Sequence, residues 1–368
     1  MADIKIIDRS IAEMDQPTFA GLADDFGVVA LTTDKRRAFS NNPYITDYKM
    51  HCQSIGVLDG LAIGCEMHFP LYWMAHGALY RVLCGSTTFV AKEYRKTELG
   101  LQLKEFRKQV CPSEITCGAG VSQMMLRILR YWKETVFLIP RIIMLFKSRA
   151  VVDMKLHGML AKIVSTCVDL GLTVYWVLIR FMCWYKLRAY DFEKVDASNE
   201  DVIRQVADLI SSDPHPFAEL HDDRWLKWHM TESFTKDGAM ELTTVRHKGK
   251  LVAFYMTKKR FHEQASSRGF RNVWLGSITE WQVVQGSESV LPWILLNAAC
   301  AFKGAVDAVE IVAEDGKLLR FLRRLGWQHV GESNFTFHIY DGPLKENKDI
   351  LDCTNWRLRP AMGDAGLS

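Results

Sequence analysis

Residues 92 to 100 hold the most chemically pointed stretch of the chain. Lys92, Arg95 and Lys96 sit in a short loop after a β-branched run, Val82 to Val90, and before a helix that opens at Leu99-Gly100. Strand, basic loop and helix N-terminus bring backbone N–H groups and the positive end of a helix dipole to one point, which favours phosphate. Glu98 opposes this, unless its carboxylate turns outward onto the first helical turn. Other residues suit proton transfer. Glu66 and His68 share one face of a predicted strand, and Glu280 lies in an apolar strand between Ile278 and Trp281. A carboxylate or imidazole at such a place can take a proton from a nucleophile. Alternation alone equally predicts a solvent-facing polar strand face for Glu66 and His68, and ion pairing satisfies Glu280 as well as catalysis does.

The elements that position these groups come in two similar series. In the first, up to about Lys133, Ser54 to Leu58 and Leu61 to Phe69 form strands around Asp59-Gly60, a hairpin signal. Gly77 to Ala91 is the next strand, followed by the basic loop, its helix and a short strand at Ser113 to Cys117. Ser122 then caps a helix faced by Met125, Leu126 and Leu129. The second series starts near Arg188. It has helices over Asn199–Ile210 and Asp222–His229 and a hairpin around Lys248-Gly249. A long strand, Val273 to Val284, leads to the helix Leu291–Phe302 and the strand Val306–Val312. The helix Lys317–Leu325, closed by Gly326, precedes a last strand at Phe335–Tyr340.

The loop Arg95-Lys96-Thr97-Glu98-Leu99-Gly100 resembles the acyl-CoA pyrophosphate loop, Arg/Gln-x-x-Gly-x-Gly/Ala, of the GCN5-related N-acetyltransferases. Glu98 stands where that pattern has its first glycine. Leu325-Gly326-Trp327 resembles the Leu-Gly-Phe ending of a late helix in the same fold. The resemblance implies an α/β chain of two tandem acetyltransferase-like domains, each a mixed, mostly antiparallel sheet flanked by helices. It implies an N-terminal domain over 1–133 that holds acyl-CoA, a helical linker over 134–190, a C-terminal domain over 191–345 and a tail over 346–368. The second turn, Gln285 to Val290, has no basic residue and carries Glu288, so the C-terminal cofactor site is read as degenerate. Leu322 stands where the family often has its acid tyrosine.

By the same resemblance, Arg95, Lys96, Thr97, Leu99 and Gly100 bind pyrophosphate, Thr88, Phe89 and Val90 pair with the pantetheine arm, and Ser122 lies beside them. Glu66, His68 and Glu280 are the candidate proton-transfer groups. The co-substrate is acetyl-CoA or another acyl-CoA, and the acceptor is an amine on a small molecule or sugar. A long-chain acyl donor at a membrane and a non-catalytic binding role are the alternatives.

Composition narrows the other classes. The chain has 368 residues, 48% hydrophobic and 24% charged, with a net charge of +3, too balanced for a general nucleic-acid binder. Its nine cysteines are scattered, with no Cys-x-x-Cys pair and no histidine cluster, so no metal is expected. Met1 to Ser10 has no apolar stretch of secretory type, and a reducing cytoplasm is the expected compartment. Neither a Walker loop, a Gly-x-Ser-x-Gly elbow nor His-Glu-x-x-His occurs.

Residues 131 to 190 carry nine Lys/Arg against three acids. Within them Met159 to Leu187 reads as a long helix whose Lys162, Thr166, Asp169, Thr173 and Arg180 trace one narrow polar stripe. A helix this apolar is expected to be buried between the two halves, with peripheral contact to an anionic bilayer as the other outcome. Its longest charge-free run, Leu170 to Ile179, is too short for a membrane crossing.

Overall fold

A computed structural model describes residues 4–14, 21–22, 33–148, 152, 158–262 and 272–363. In chain order the first half runs β1 (Lys5–Ser10), β2 (Gly21–Leu22), α1 (Thr33–Ser40), β3 (His51–Leu58), β4 (Leu61–Ala75) and β5 (Ala78–Val90). It continues through α2 (Leu99–Val110), β6 (Ile115–Ala119), α3 (Gln123–Tyr131) and β7 (Thr135–Leu145). A long helix, α4 (Gly158–Leu187), leads to β8 (Tyr190–Val195), α5 (Glu200–Ser211), β9 (Phe217–Glu219) and α6 (Asp223–Thr231). Then come β10 (Glu241–His247), β11 (Lys250–His262), β12 (Val273–Val283), α7 (Leu291–Ala301), β13 (Ala308–Val312), α8 (Gly316–Arg324), β14 (Gln328–Ile339) and β15 (Trp356–Arg357).

Local chemistry explains most of these boundaries. Asp59 and Gly60 both take positive φ, 49° and 80°, as a two-residue hairpin turn requires. Ser122, Asn199, Asp222 and Asp315 cap α3, α5, α6 and α8 by accepting a backbone N–H from the first turn. Gly326 ends α8 at φ 87°, a left-handed cap that a side chain would strain.

One sheet runs through the molecule in the order β1-β3-β4-β5-β6-β14-β7-β13-β12-β11-β10-β8. The two halves exchange their last strands at its centre. β6 of the first half pairs with β14 of the second, and β13 of the second pairs with β7 of the first. β7 and β14 also pair with each other along nine residues, Thr135 to Ile143 opposite Phe337 to Gln328. This corrects the expected division. The segment 134–190, read as a helical linker, opens with a central strand, and the unit 191–345 gives its own last strand to the other half. Pro140 is tolerated because it stands just past the stretch of β7 that pairs with β13, and beside a bulge at Val330.

The segment 346–368, read as a tail, is also structural up to Gly363. β15 pairs with β9, and Trp356 lies fully buried, stacked on Phe217 at 5.4 Å and edge-on to Trp73 at 4.8 Å. Leu358, Ala361 and Met362 join the same core. Gly363 donates its N–H to Glu219 Oε2 at 2.8 Å and lies so close to Cys84 that a Cβ there would stand 3.2 Å from the sulfur.

The expectation that α4 is sandwiched between the halves is overturned. Trp176, Ile179, Cys183 and Leu187 are buried against the second-half core, with Trp176 stacked on Phe146 at 4.3 Å. The rest of the helix faces outward, and only 11% of its most apolar 18-residue stretch is buried.

Candidate functional site

The site begins where β5 and β6 separate. These parallel strands pair at only Leu83 with Thr116 and Cys84 with Cys117, although β5 runs on to Val90 and β6 to Ala119. Past that point β5 bulges against β4: Cys65 still faces Phe89, but Met67 faces Ser86. Thr87 sits in the bulge at φ 49°, a conformation that a β-branched residue adopts only under constraint. The bulge turns β5 away from β6, and two connected spaces open between them.

The outer space, a cleft of about 740 Å³, is lined by Thr88, Phe89 and Val90 of β5, by Arg95, Thr97, Glu98 and Gly100 at the start of α2, and by Ser122 and the outer face of α3. The sequence reading therefore gathers most of its cofactor candidates on one surface. Arg95 is exposed beside the cleft, its Nε donating to the Val90 carbonyl at 3.0 Å. Thr97 Oγ1 accepts from the Leu99 N–H at 3.3 Å. Two candidates fall outside the wall. Lys96 is exposed and does not line the cleft. Leu99 is completely buried beneath the sheet, where Gly56 and Gly64 make room for it; a Cβ on either glycine would come within 3 Å of its side chain. Leu99 is a core anchor of α2, a role its apolar spacing already implied.

The inner space, about 430 Å³, shares Thr88, Ser122, Met125 and Trp132 with the outer one. Its walls mix charged and apolar groups, Leu83, Leu129 and Trp132 among the latter. Glu66 and His68 form part of it, together with Lys104, Arg107 and Lys108 of α2, Glu134, and Arg260 and Thr336 from the second half. The reading of Glu66 and His68 as a solvent-facing strand pair is corrected: they are 2% and 0% exposed. β4 is a central strand, and α2 covers the face that alternation alone assigns to water. Glu66 Oε1 lies 3.6 Å from Lys104 Nζ and 3.9 Å from Arg107 Nε, while its Oε2 has no hydrogen-bond partner. Neither ring nitrogen of His68 has a well-aligned partner, and the ring stacks on His51 at 4.8 Å. Burial holds the His68 imidazole well below its usual range, and His51 and Arg107 push it the same way, so it is neutral at pH 7. Burial raises the Glu134 carboxyl, with Lys104 and Lys108 acting against the rise.

Sequence reasoning missed Lys104, Arg107 and Lys108. Their i, i+3, i+4 spacing on α2 was the available signal, since it aligns three cations on one helical stripe. Glu280 lines neither space. It is fully buried in a second-half network, 2.6 Å from His221 Nδ1 and 3.6 Å from Arg359 Nε. Burial alone would raise its carboxyl, but Arg357, His221 and Arg359 outweigh it and hold the group below the usual carboxylate range. Among the described residues no cluster of three or more His, Cys, Asp or Glu has metal-holding geometry.

No protein-family model matches the sequence, and no curated protein matches it. Solved structures do share the fold. Saccharomyces cerevisiae N-myristoyltransferase with bound myristoyl-CoA superposes with a TM-score of 0.61 at 10% identity, over 93% of this chain and 84% of that one. An Enterococcus faecalis protein described as a probable N-acyltransferase gives 0.54 at 10% identity, over 92% of this chain and 73% of that one. A GCN5-related N-acetyltransferase from Kribbella flavida gives 0.50 at 10% identity, over 92% and 71%. The chain therefore has the acetyltransferase-like fold expected from its two motifs, in tandem form.

Proposed function

We propose that this protein is an acyl-CoA-dependent N-acyltransferase that carries a short acyl group, acetyl in the simplest case, to an amine on a small molecule or sugar. The observation that carries this reading is the split between β5 and β6, which leads directly to the basic mouth of α2. A parted pair of strands leaves backbone edges that an extended, amide-bearing chain such as pantetheine can pair with. Thr88 to Val90 supply that edge, while Arg95 and the first turn of α2 face the pyrophosphate. The fold shared with acyltransferases agrees with this assignment.

Transfer then needs three things of the chain: a held acceptor, a proton sink and a donor to the oxyanion. The amine nitrogen attacks the thioester carbonyl carbon, its surplus proton passes to His68 or Glu66, and the C–S bond breaks to release CoA as a thiolate that is then protonated. His68 suits the role because its burial keeps it unprotonated at neutral pH. In this reading, backbone N–H groups of the Thr87 bulge donate to the developing oxyanion. Glu66, His68 and Arg107 in the inner chamber favour a short acyl group, since a long alkyl chain against them would desolvate them without repayment.

Calorimetric titration with CoA and acetyl-CoA, followed by thiol release in the presence of an amine panel, tests the proposal. Saturable CoA binding and acceptor-dependent thiol release are expected. Glu66→Gln and His68→Gln should lower kcat while leaving CoA affinity within about twofold. A chain that binds no CoA overturns the reading.

A further inference from the structure

Among the described residues, none packs against one apolar face of α4. Ile163, Leu170, Val174, Val177, Phe181 and Trp184 follow one another at intervals of seven, four, three, four and three, which places them on a single helical stripe. All are exposed, Leu170 at 68% and Phe181 at 61%. The opposite stripe, Trp176, Ile179 and Cys183, is pinned to the body of the protein: the Trp176 indole donates to the Leu145 carbonyl at 2.9 Å, and the neighbouring Tyr175 hydroxyl donates to the Leu325 carbonyl at 2.7 Å. The outward stripe runs most of a helix about 45 Å long by its 1.5 Å rise per residue. A contiguous apolar strip of that length on a water-soluble surface marks an interaction site.

Charge selects the partner. Lys162 and Arg180 are exposed along one flank of the strip, and Arg188 follows at its end with its guanidinium 5.3 Å from the Tyr185 ring centroid. The one acid of the helix, Asp169, is turned inward, where it accepts the Ser148 N–H at 2.6 Å. Apolar and aromatic residues outward with cations at the flanks is the pattern of a helix lying in the plane of an anionic bilayer. A second copy of the chain fits less well, because a face-to-face pair of these helices would set Lys162 and Arg180 of each copy along the shared seam. A membrane crossing fits less well too. It would require stripping Trp176, Ile179 and Cys183 from the core they are packed into.

We infer that α4 docks this protein on an anionic phospholipid surface, with the Ile163–Trp184 strip sunk among the acyl chains and Lys162, Arg180 and Arg188 at the headgroups. This inference goes beyond the proposed reaction and is read without any activity assay. The full chain is co-sedimented with vesicles of phosphatidylcholine alone and of phosphatidylcholine with phosphatidylserine, at low and high salt. Binding is expected only with phosphatidylserine present, weaker at high salt and removed by a salt wash. Lys162→Gln and Arg180→Gln should each weaken partitioning about fivefold. Val174→Glu with Phe181→Glu should abolish it while the melting temperature stays at the wild-type value, since both sites face outward. A chain that ignores anionic vesicles and elutes as a dimer, with the dimer lost in the same double variant, would overturn the inference in favour of self-association. Attachment that survives salt and alkaline washing would overturn it in favour of a crossing.

Discussion

The two halves contain the same parallel strand pair in opposite states. In the first, β5 and β6 pair at two positions and then part; in the second, β12 and β13 stay together over four, Leu275 to Ile278 with Ala308 to Ile311. The first pair is opened by a bulge with Thr87 at positive φ. The second is sealed by Phe302, whose ring lies so close to Gly276 that a Cβ there would stand 2.8 Å away. The sealed half is also bolted electrostatically. Glu310 on β13 binds Arg260 at 2.9 Å, Ser277 and Arg141, tying four strands together. The turn after β12 ends the contrast: Glu288 folds back onto the Gly286 N–H at 2.8 Å where the first half presents Arg95 to an open cleft. One topology is thus open in one copy and closed in the other, and what separates them is a handful of residues at the strand split.

The comparison can be broken most severely at Glu310. Glu310→Ala leaves Arg141 and Arg260 without their buried counter-ion and should cost about 3–5 kcal/mol of stability, read by denaturant unfolding. Next in size is Arg95→Ala, which should weaken CoA binding by about 1.5–3 kcal/mol in calorimetry. Glu288→Ala, at the matching turn of the second half, should leave CoA affinity unchanged; equal losses in the two variants would mean that both halves bind. A pH series sharpens the assignment of the inner chamber. Because the folded His68 pKa lies below the ordinary 6.5, the unfolded chain binds its proton more readily. Its contribution to stability is fully present above pH 6.5 and is lost as pH falls through the folded value. kcat/KM should fall over the same acid range, and His68→Phe should flatten the acid limb of the stability curve. The smallest effect is expected from Glu98→Gly, which removes a like charge from the cleft mouth and should bind CoA at least as well as wild type. A large loss there would show that the carboxylate is built into the loop.

Sequence patterns located what is decided locally. The Asp59-Gly60 hairpin, the cap at Ser122 and the Gly326 stop depend on neighbours a few residues away, and each is where its signal put it. The convergence of Thr88–Val90, Arg95, Thr97, Gly100 and Ser122 on one cleft was legible for the same reason, since strand, loop and helix follow directly along the chain. β7 was not legible. Its residues are apolar on both faces, so they show no alternation, and Pro140 argues against a central strand unless the bulge opposite is known. The burial of Glu66 and His68 depended on α2 lying over β4, and that contact is not written in the β4 sequence. The exposure of α4 failed by the opposite route: an all-round apolar helix is read as buried, and only the fold shows that there is protein for one side of it.

The strand exchange has a consequence for how the molecule comes into being. Val121, two residues past the end of β6 on the chamber wall, is bracketed by the side chain of Asn334, which takes its N–H at 2.8 Å and donates to its carbonyl at 2.9 Å from 213 residues further along the chain. On the ribosome, every residue of the first half emerges before the strand that covers its open edge has been made. The nascent first half must wait with β6 unpaired, an aggregation hazard that grows with the delay. The long-range pairing of β6 with β14 should accordingly make its folding slow and dependent on completion of the polypeptide. Cutting the gene between α4 and β8 should therefore give two fragments that are insoluble apart and recover a common sheet only when made together.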